Sequence, residues 1–166
     1  MKMQAGAAAL ILLLSVATPA APQVQGQPII VDGKCDQKSG VTIDDGDMSQ
    51  FACDSAVIAR VQSGAVLIQF TDKRGDDGRI LGFAGMIEGK QGFGAEKTQA
   101  IAVERLYLAG GAQPIPATRG TCFMNWTGLQ RTGGRLVSVV CGGAGSAEGH
   151  DIKAMVGLTA RQPAKK

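Results

Sequence analysis

The chain has 166 residues, of which 45% are hydrophobic, 4% aromatic and 19% charged, with 24 glycines and a formal net charge of +3. This composition excludes wholesale disorder and a polytopic membrane protein. Once a 20-residue leader is set aside, about 146 residues remain, which suits one domain rather than two. No catalytic, nucleotide-binding or metal-binding motif is present, so the sequence indicates a compartment and a fold class more directly than an activity.

The first 20 residues predict a secretory signal peptide. Lys2 supplies a positive charge, Ala5 to Ala17 is apolar, and Thr18-Pro19-Ala20 offers small residues at a cleavage site. An uncleaved anchor is the alternative, but this apolar stretch covers only about two-thirds of a hydrocarbon core. We therefore expect residues 21–160 to form an exported domain, periplasmic or secreted and free of the membrane after cleavage. Residues 161–166 form a basic tail.

The four cysteines predict two disulfides, because export places an even number of thiols in an oxidising compartment. Three pairings are possible, and the sequence favours Cys35 with Cys53 and Cys122 with Cys141. Their separations of 18 and 19 residues suit one bridge per hairpin. A zinc site is the alternative, but the chain has no Cys-x-x-Cys and a single histidine. We expect no metal and no cofactor.

The second cysteine pair also predicts a strand register. In a hairpin with Cys122 opposite Cys141, Met124 faces Val139 and Trp126 faces Val137. Side chains alternate between the two faces of a strand, so these six residues share one face. That face is entirely apolar, which supports the pairing.

Most of the remaining chain predicts short strands. Apolar residues recur at every second position in runs bounded by glycine and aspartate clusters. A further segment, Gln99 to Leu108, fits both helical and strand spacing and is interpreted as a strand. About eight strands and little helix predict an all-β domain, either a β-sandwich or a small β-barrel. The clearest runs are Ala56 to Val61, Ala65 to Asp72, Arg79 to Ile87, Arg135 to Cys141 and Asp151 to Leu158.

The segment Lys73 to Gly78 predicts an exposed hairpin loop, since Asp77-Gly78 tolerates positive φ and the loop is densely charged. It is the candidate contact loop of a binding module, with Lys73, Arg74, Asp76 and Asp77 as contact residues. Arg74-Gly75-Asp76 is also an RGD tripeptide. Because three residues often recur by chance, the tripeptide is weak evidence for adhesion.

Candidate catalytic groups are sparse. His150 is the sole histidine, and a triad would have to combine it with Asp151 and with Ser146 or another serine, without a Gly-x-Ser-x-Gly elbow. The carboxylates Asp44, Asp45 and Asp47 flank a glycine in a predicted turn, where aspartate bonds to local backbone. No catalytic residue is therefore assigned.

Charge is unevenly distributed along the chain. Residues 21–89 carry a net charge of −4 and residues 90–166 a net charge of +6. Nucleic acid is not an expected partner, because the basic half lacks a stripe of aromatic residues. Asn125-Trp126-Thr127 matches an N-glycosylation sequon in a strand that we expect to be half buried, with Asn125 on the outer face; its use is left open.

These observations favour an exported, non-enzymatic binding or inhibitor-type domain that acts through loops on a rigid sheet. Its expected partner is a protein or a component of the cell envelope. A small-ligand carrier with a hollow barrel is the second hypothesis, and a small exported hydrolase using His150 is the third.

Overall fold

A computed structural model describes residues 24–72, 79–89, 93, 96–108 and 113–162. The expected signal peptide and the contact loop 73–78 lie outside the described residues, and so does most of the basic tail. The sequence-based interpretations of those segments therefore stay predictions.

The described residues form ten β-strands and one short 3₁₀ helix, Gln130–Thr132, which confirms the all-β prediction. The strands are β1 Val24–Cys35, β2 Gly40–Ile43, β3 Ser49–Gln50, β4 Ser55–Val61, β5 Val66–Thr71, β6 Ile80–Ile87, β7 Thr98–Leu108, β8 Ile115–Trp126, β9 Leu136–Ala147 and β10 His150–Ala160.

All ten strands belong to one antiparallel sheet with the order β1-β4-β5-β6-β7-β8-β9-β10-β2-β3. Strand β1 also pairs with β10, so the order returns to its own start. Each of the eight strands β1 and β4 to β10 consequently has a hydrogen-bonded neighbour on both sides. Strand β2 continues the course of β1 along β10, and β3 pairs only with β2.

The alternating strand direction sends connections to two opposite edges of the sheet. The connections β2–β3, β5–β6, β7–β8 and β9–β10 leave one edge, which we call the upper edge. The connections β4–β5, β6–β7 and β8–β9 leave the other, which we call the lower edge. The candidate functional site lies at the upper edge.

One apolar cluster fills the inner face of the sheet, as the period-2 pattern requires. Phe70 and Phe83 meet edge to face with ring centroids 6.1 Å apart. Near the lower edge, Phe93 packs edge to face on Trp126, and the Arg60 guanidinium lies 5.8 Å from the centre of the Phe93 ring. The largest fully buried side chains also include Ile58, Ile68, Leu81, Ile101, Leu106, Met124 and Leu158.

Both predicted disulfides are present. Cys122 lies opposite Cys141 and Met124 opposite Val139, as predicted. The expected pairing of Trp126 with Val137 is wrong: Trp126 faces Leu136, because the register shifts between Asn125 and Trp126.

Cys35 and Cys53 are bonded, but not across the hairpin that we expected. Cys35 ends β1, and its backbone N–H donates to the Cys53 carbonyl just before β4. The two strands between these cysteines, β2 and β3, do not pair with β1 or β4. Strand β2 pairs with β10, and β3 pairs with β2. The Cys35–Cys53 disulfide therefore links the two ends of the segment that contains β2 and β3.

Several strands are longer than their sequence runs. The strand predicted for Arg135 to Cys141 continues to Ala147 through a glycine-rich segment. In this segment glycine is required at position 145, because a Cβ atom on Gly145 would overlap the carbonyl group of Pro116 on β8. Alternation of apolar residues does not reveal such a segment, because the glycines have no side chain to bury.

Candidate functional site

An apolar pocket opens at the upper edge between the β2–β3 hairpin and the beginning of β6. We call it the mouth pocket. Its volume of about 340 Å³ lies within the range of small-molecule sites. Its apolar walls are Val41, Ile43, Phe51, Ile80, Leu81 and Leu108.

Strand β2 brings two of these side chains to the pocket. Val41 pairs with Ala154 and Ile43 with Ile152 on β10, so both point to the same face as the core. Ile43 is nevertheless 51% exposed, because the strand ends there and no further residue of the described chain covers it. An apolar side chain that points towards the core but remains exposed to solvent indicates a gap in the packing.

Phe51 separates the pocket from the polar surface on its other side. Its ring is 6% exposed, and its backbone N–H donates to the carbonyl of Ser39. Because Cys53 follows two residues later and is disulfide-bonded, the Phe51 backbone is held on both sides.

The rim of the mouth pocket is polar. Asp47, Ser49 and Gln50 contribute from the hairpin, and Arg79 from the sheet side. Arg79 directly follows Gly78, the last residue of the predicted contact loop.

The β2–β3 turn has an unusual backbone. Asp44 and Asp45 have φ values of 50° and 58°, and the N–H of Gly46 donates to the carbonyl of Ile43. Two central residues with positive φ define a type I′ turn, which twists with the flanking strands. The left-handed conformation costs about 1–2 kcal/mol per non-glycine residue, so other interactions must hold the turn.

Strand β10 supplies those interactions. Asp44 Oδ2 lies 2.6 Å from His150 Nδ1, and Asp44 Oδ1 accepts a 2.8 Å bond from the Asp151 N–H. Asp45 forms an ion pair with Lys153. The sequence interpretation of these aspartates as bonded to local backbone is therefore incomplete, since their partners lie more than 100 residues away along the chain.

The His150 and Asp44 side chains shift each other's pKa. The hydrogen bond with Asp44 raises the pKa of His150 above its ordinary value. The same bond, with help from the Asp151 N–H, lowers the pKa of Asp44. Both side chains are more than half exposed, so solvent screens the pair. The pair joins the turn after β2, beside the pocket, to the beginning of β10.

The groups of the hydrolase hypothesis have separate partners. The Ser146 hydroxyl donates to Asp151 Oδ1 at 2.8 Å, while His150 bonds to Asp44. A serine nucleophile requires its proton to be directed to the base. The Ser146–Asp151 bond lies within the β9–β10 hairpin, and the His150–Asp44 bond joins that hairpin to the turn after β2, so the three groups do not form a relay.

A second, polar pocket of about 360 Å³ adjoins the mouth pocket. The two share Gln50, Phe51 and Arg79 as walls. The polar pocket adds Lys34, Asp36, Gln37, Ser39 and the Cys35–Cys53 disulfide. Because the two pockets share these walls, we refer to them together as the depression.

The sequon residue Asn125 lies in β8 and is itself half-buried. Its amide nitrogen donates to the Ser138 hydroxyl, and its carbonyl oxygen accepts from the Thr98 hydroxyl, both at 3.0 Å. The amide thus bridges three strands.

Sequence reasoning missed the mouth pocket. Val41-Thr42-Ile43 has the alternation of a short strand, and Asp44-Asp45-Gly46 follows it as a turn. That signal was available, but three residues are too few to indicate a strand without its partner.

In the described part of the chain, no group of three or more His, Cys, Asp or Glu residues is placed to hold a metal ion. Among the described residues, no helix is long and apolar enough to cross a membrane.

Comparisons of the chain with protein-family models, with curated proteins and with solved structures gave no match.

Proposed function

We propose that the protein is an exported, non-enzymatic binding domain that holds its ligand in the mouth pocket of a small closed β-barrel. The closed-barrel description rests on the pairing of β1 with both β4 and β10. The observation that carries the proposal is the exposure of Ile43 and Ile80 at one pocket, above a core whose large side chains are fully buried.

The buried core favours a ligand at the mouth over one in a hollow interior. Leu81 forms part of the pocket wall and is 1% exposed, and Phe70 and Phe83 are as deeply buried. Apolar side chains packed at this density leave little room for a ligand among them. The mouth pocket offers apolar surface without requiring the core to open.

Two disulfides support an oxidising compartment. Cleavage after Ala20 would place the mature N-terminus at Ala21. Intact-mass spectrometry of exported material measures this directly. Retention of Met1 to Ala20 on a membrane-bound product would contradict the export proposal.

Binding at the mouth pocket is testable with the neutral fluorescent probe N-phenyl-1-naphthylamine. We expect Ile80→Ser and Ile43→Ser each to weaken probe binding about fivefold, since each removes apolar contact area. Met86→Ser is the matched control, because Met86 lies on the same strand as Ile80 with similar exposure, 41% against 39%. It does not line the mouth pocket.

The result is read from the difference between these variants. A loss confined to Ile80→Ser and Ile43→Ser supports the proposal. Equal affinities for all three variants and the unmodified protein would refute it, and so would an equal loss in Met86→Ser. Circular dichroism of each variant confirms that the sheet is intact.

A further inference from the structure

The mouth pocket and the polar pocket differ in chemistry and share a wall. Six apolar side chains form the walls of the mouth pocket, whereas Lys34, Asp36, Gln37 and Ser39 line the polar pocket beside apolar surface from Ala52 and the Cys35–Cys53 disulfide. Phe51 and Gln50 stand between them. A molecule that occupies both must therefore have an apolar part and a polar part joined within a short distance.

Arg79 determines which polar group fits. Among the described residues, it is the only charged one that lines both pockets. Lys34 adds a second positive charge on the polar side. A guanidinium at the junction of an apolar and a polar compartment matches a carboxylate, to which it can donate two parallel hydrogen bonds.

Two carboxylates of the protein also border the depression. Asp36 lines the polar pocket, but its Oδ2 occupies the space over Gly157 where a Cβ atom would lie, so it is directed onto β10. Asp47 lines the mouth pocket from the β2–β3 hairpin and does not line the polar pocket. Neither shares the position of Arg79 between the two compartments.

We infer that the two pockets form one site for a small amphipathic anion, with its hydrocarbon part between Ile43 and Leu108 and its carboxylate at Arg79. This inference rests on the proposed function and names the ligand class of the same site. The mouth pocket, at about 340 Å³, admits a short hydrocarbon chain rather than a large lipid.

A series of ligands with one chain and three head groups tests the inference. Octanoate, 1-octanol and octylammonium are titrated at pH 7 as competitors of N-phenyl-1-naphthylamine, below the concentrations at which they form micelles. Octanoate is expected to bind about tenfold more tightly than octanol, the usual gain from a charge-assisted hydrogen bond. Octylammonium is expected to bind more weakly than octanol.

Variants assign the preference to Arg79. Arg79→Gln is expected to abolish the advantage of octanoate and to leave octanol binding within twofold. Arg79→Lys keeps the charge and is expected to retain part of the preference. Arg135→Gln is the matched control, since Arg135 is exposed beyond β8 on the lower edge and is expected to change nothing. If Arg79→Gln does not fold, the salt dependence of octanoate binding to the unmodified protein takes its place.

The outcomes separate this inference from the proposed function. If the neutral probe binds at the mouth pocket but octanoate and octanol compete equally, the inference is wrong and the binding proposal stands. Tightest binding by octylammonium, or an unchanged preference in Arg79→Gln, also overturns the inference. If the probe is insensitive to Ile43→Ser and Ile80→Ser, the proposed function itself fails.

Discussion

His150 Nδ1 lies 2.6 Å from Asp44 Oδ2 and so joins the turn after β2 to the beginning of β10. The contact holds a turn whose two aspartates both have positive φ. Because the same turn carries a wall of the mouth pocket, a change in this contact is expected to reach the candidate site.

The first prediction concerns pH. The pKa of His150 lies above its ordinary value of 6.5 because Asp44 accepts its hydrogen bond. The pair therefore stabilises the fold fully below that pH, and this contribution is lost as pH rises through the raised pKa. Asp44 sets the lower end of this pH range. Its pKa lies below the ordinary value of 3.8, so its contribution to the stability of the fold is present above 3.8 and is lost as the pH falls through the lowered pKa.

Proton NMR of the imidazole measures the shift directly, since His150 is the only histidine. Asp44→Asn is expected to lower the pKa of His150 towards 6.5. Asp47→Asn is the control, because Asp47 lies in the same connection and is not the carboxylate bonded to His150. An unchanged titration in Asp44→Asn would contradict the assigned cause.

The second prediction concerns a glycine required by close approach of two strands. A Cβ atom at Gly85 would overlap the backbone of Ala102 on β7, where the register shifts. Gly85→Ala is therefore expected to lower the free energy of unfolding by about 2 kcal/mol or more, as overpacking does. Urea denaturation measures the change.

Gly142 provides the control for this substitution. It lies within β9, and the nearest atom to a Cβ added there would be the Ala154 carbonyl oxygen at 3.9 Å, an ordinary contact. Gly142→Ala is expected to leave stability unchanged or to raise it by up to about 1 kcal/mol. Similar losses in the two variants would show that the close approach at Gly85 is not the cause.

The third prediction uses the single tryptophan. Trp126 is 6% exposed, and its indole Nε1 is buried without a hydrogen-bond partner among the described residues. Trp126→Phe removes that donor, whose burial costs about 1–3 kcal/mol, and also loses ring volume. The opposing effects are expected to leave the free energy of unfolding within about 1 kcal/mol of the unmodified value.

Trp126→Ala separates packing from hydrogen bonding. It is expected to cost about 3–5 kcal/mol, because a large cavity opens beside Phe93. Chemical denaturation followed by far-UV circular dichroism suits both variants, since neither retains tryptophan fluorescence. A loss of several kcal/mol in Trp126→Phe would contradict the expected balance between the removed donor and the lost ring volume.

The fourth prediction concerns the disulfides. Replacing Cys122 and Cys141 together by alanine is expected to lower the free energy of unfolding by about 3 kcal/mol in the chain-entropy model. Both cysteines are fully buried beside Met124 and Val139, so the variant also loses core contacts. The Cys35→Ala and Cys53→Ala double variant opens a loop of similar length nearer the surface and is expected to lose less. Equal losses would contradict a packing contribution.

The sequence by itself determined the all-β fold class, the Cys122–Cys141 pair and most of the central strands. These features follow from local signals: alternation along β4, β5 and β6, and a shared apolar face for Cys122, Met124 and Val139. The register shift between β8 and β9 at Trp126 was not predicted, because a bulge depends on how the two strands twist together and leaves no local sequence pattern.

The tertiary structure alone decided where the candidate site lies. Val41 and Ile43 meet Ile80 and Leu108 only because β2 pairs with β10, while β6 and β7 lie elsewhere in the same sheet. The bond between Asp44 and His150 spans 106 residues. Strand pairing over such separations depends on how the whole sheet is assembled and on the summed packing of its core. Local residue preferences extend over only a few positions, so they cannot specify it.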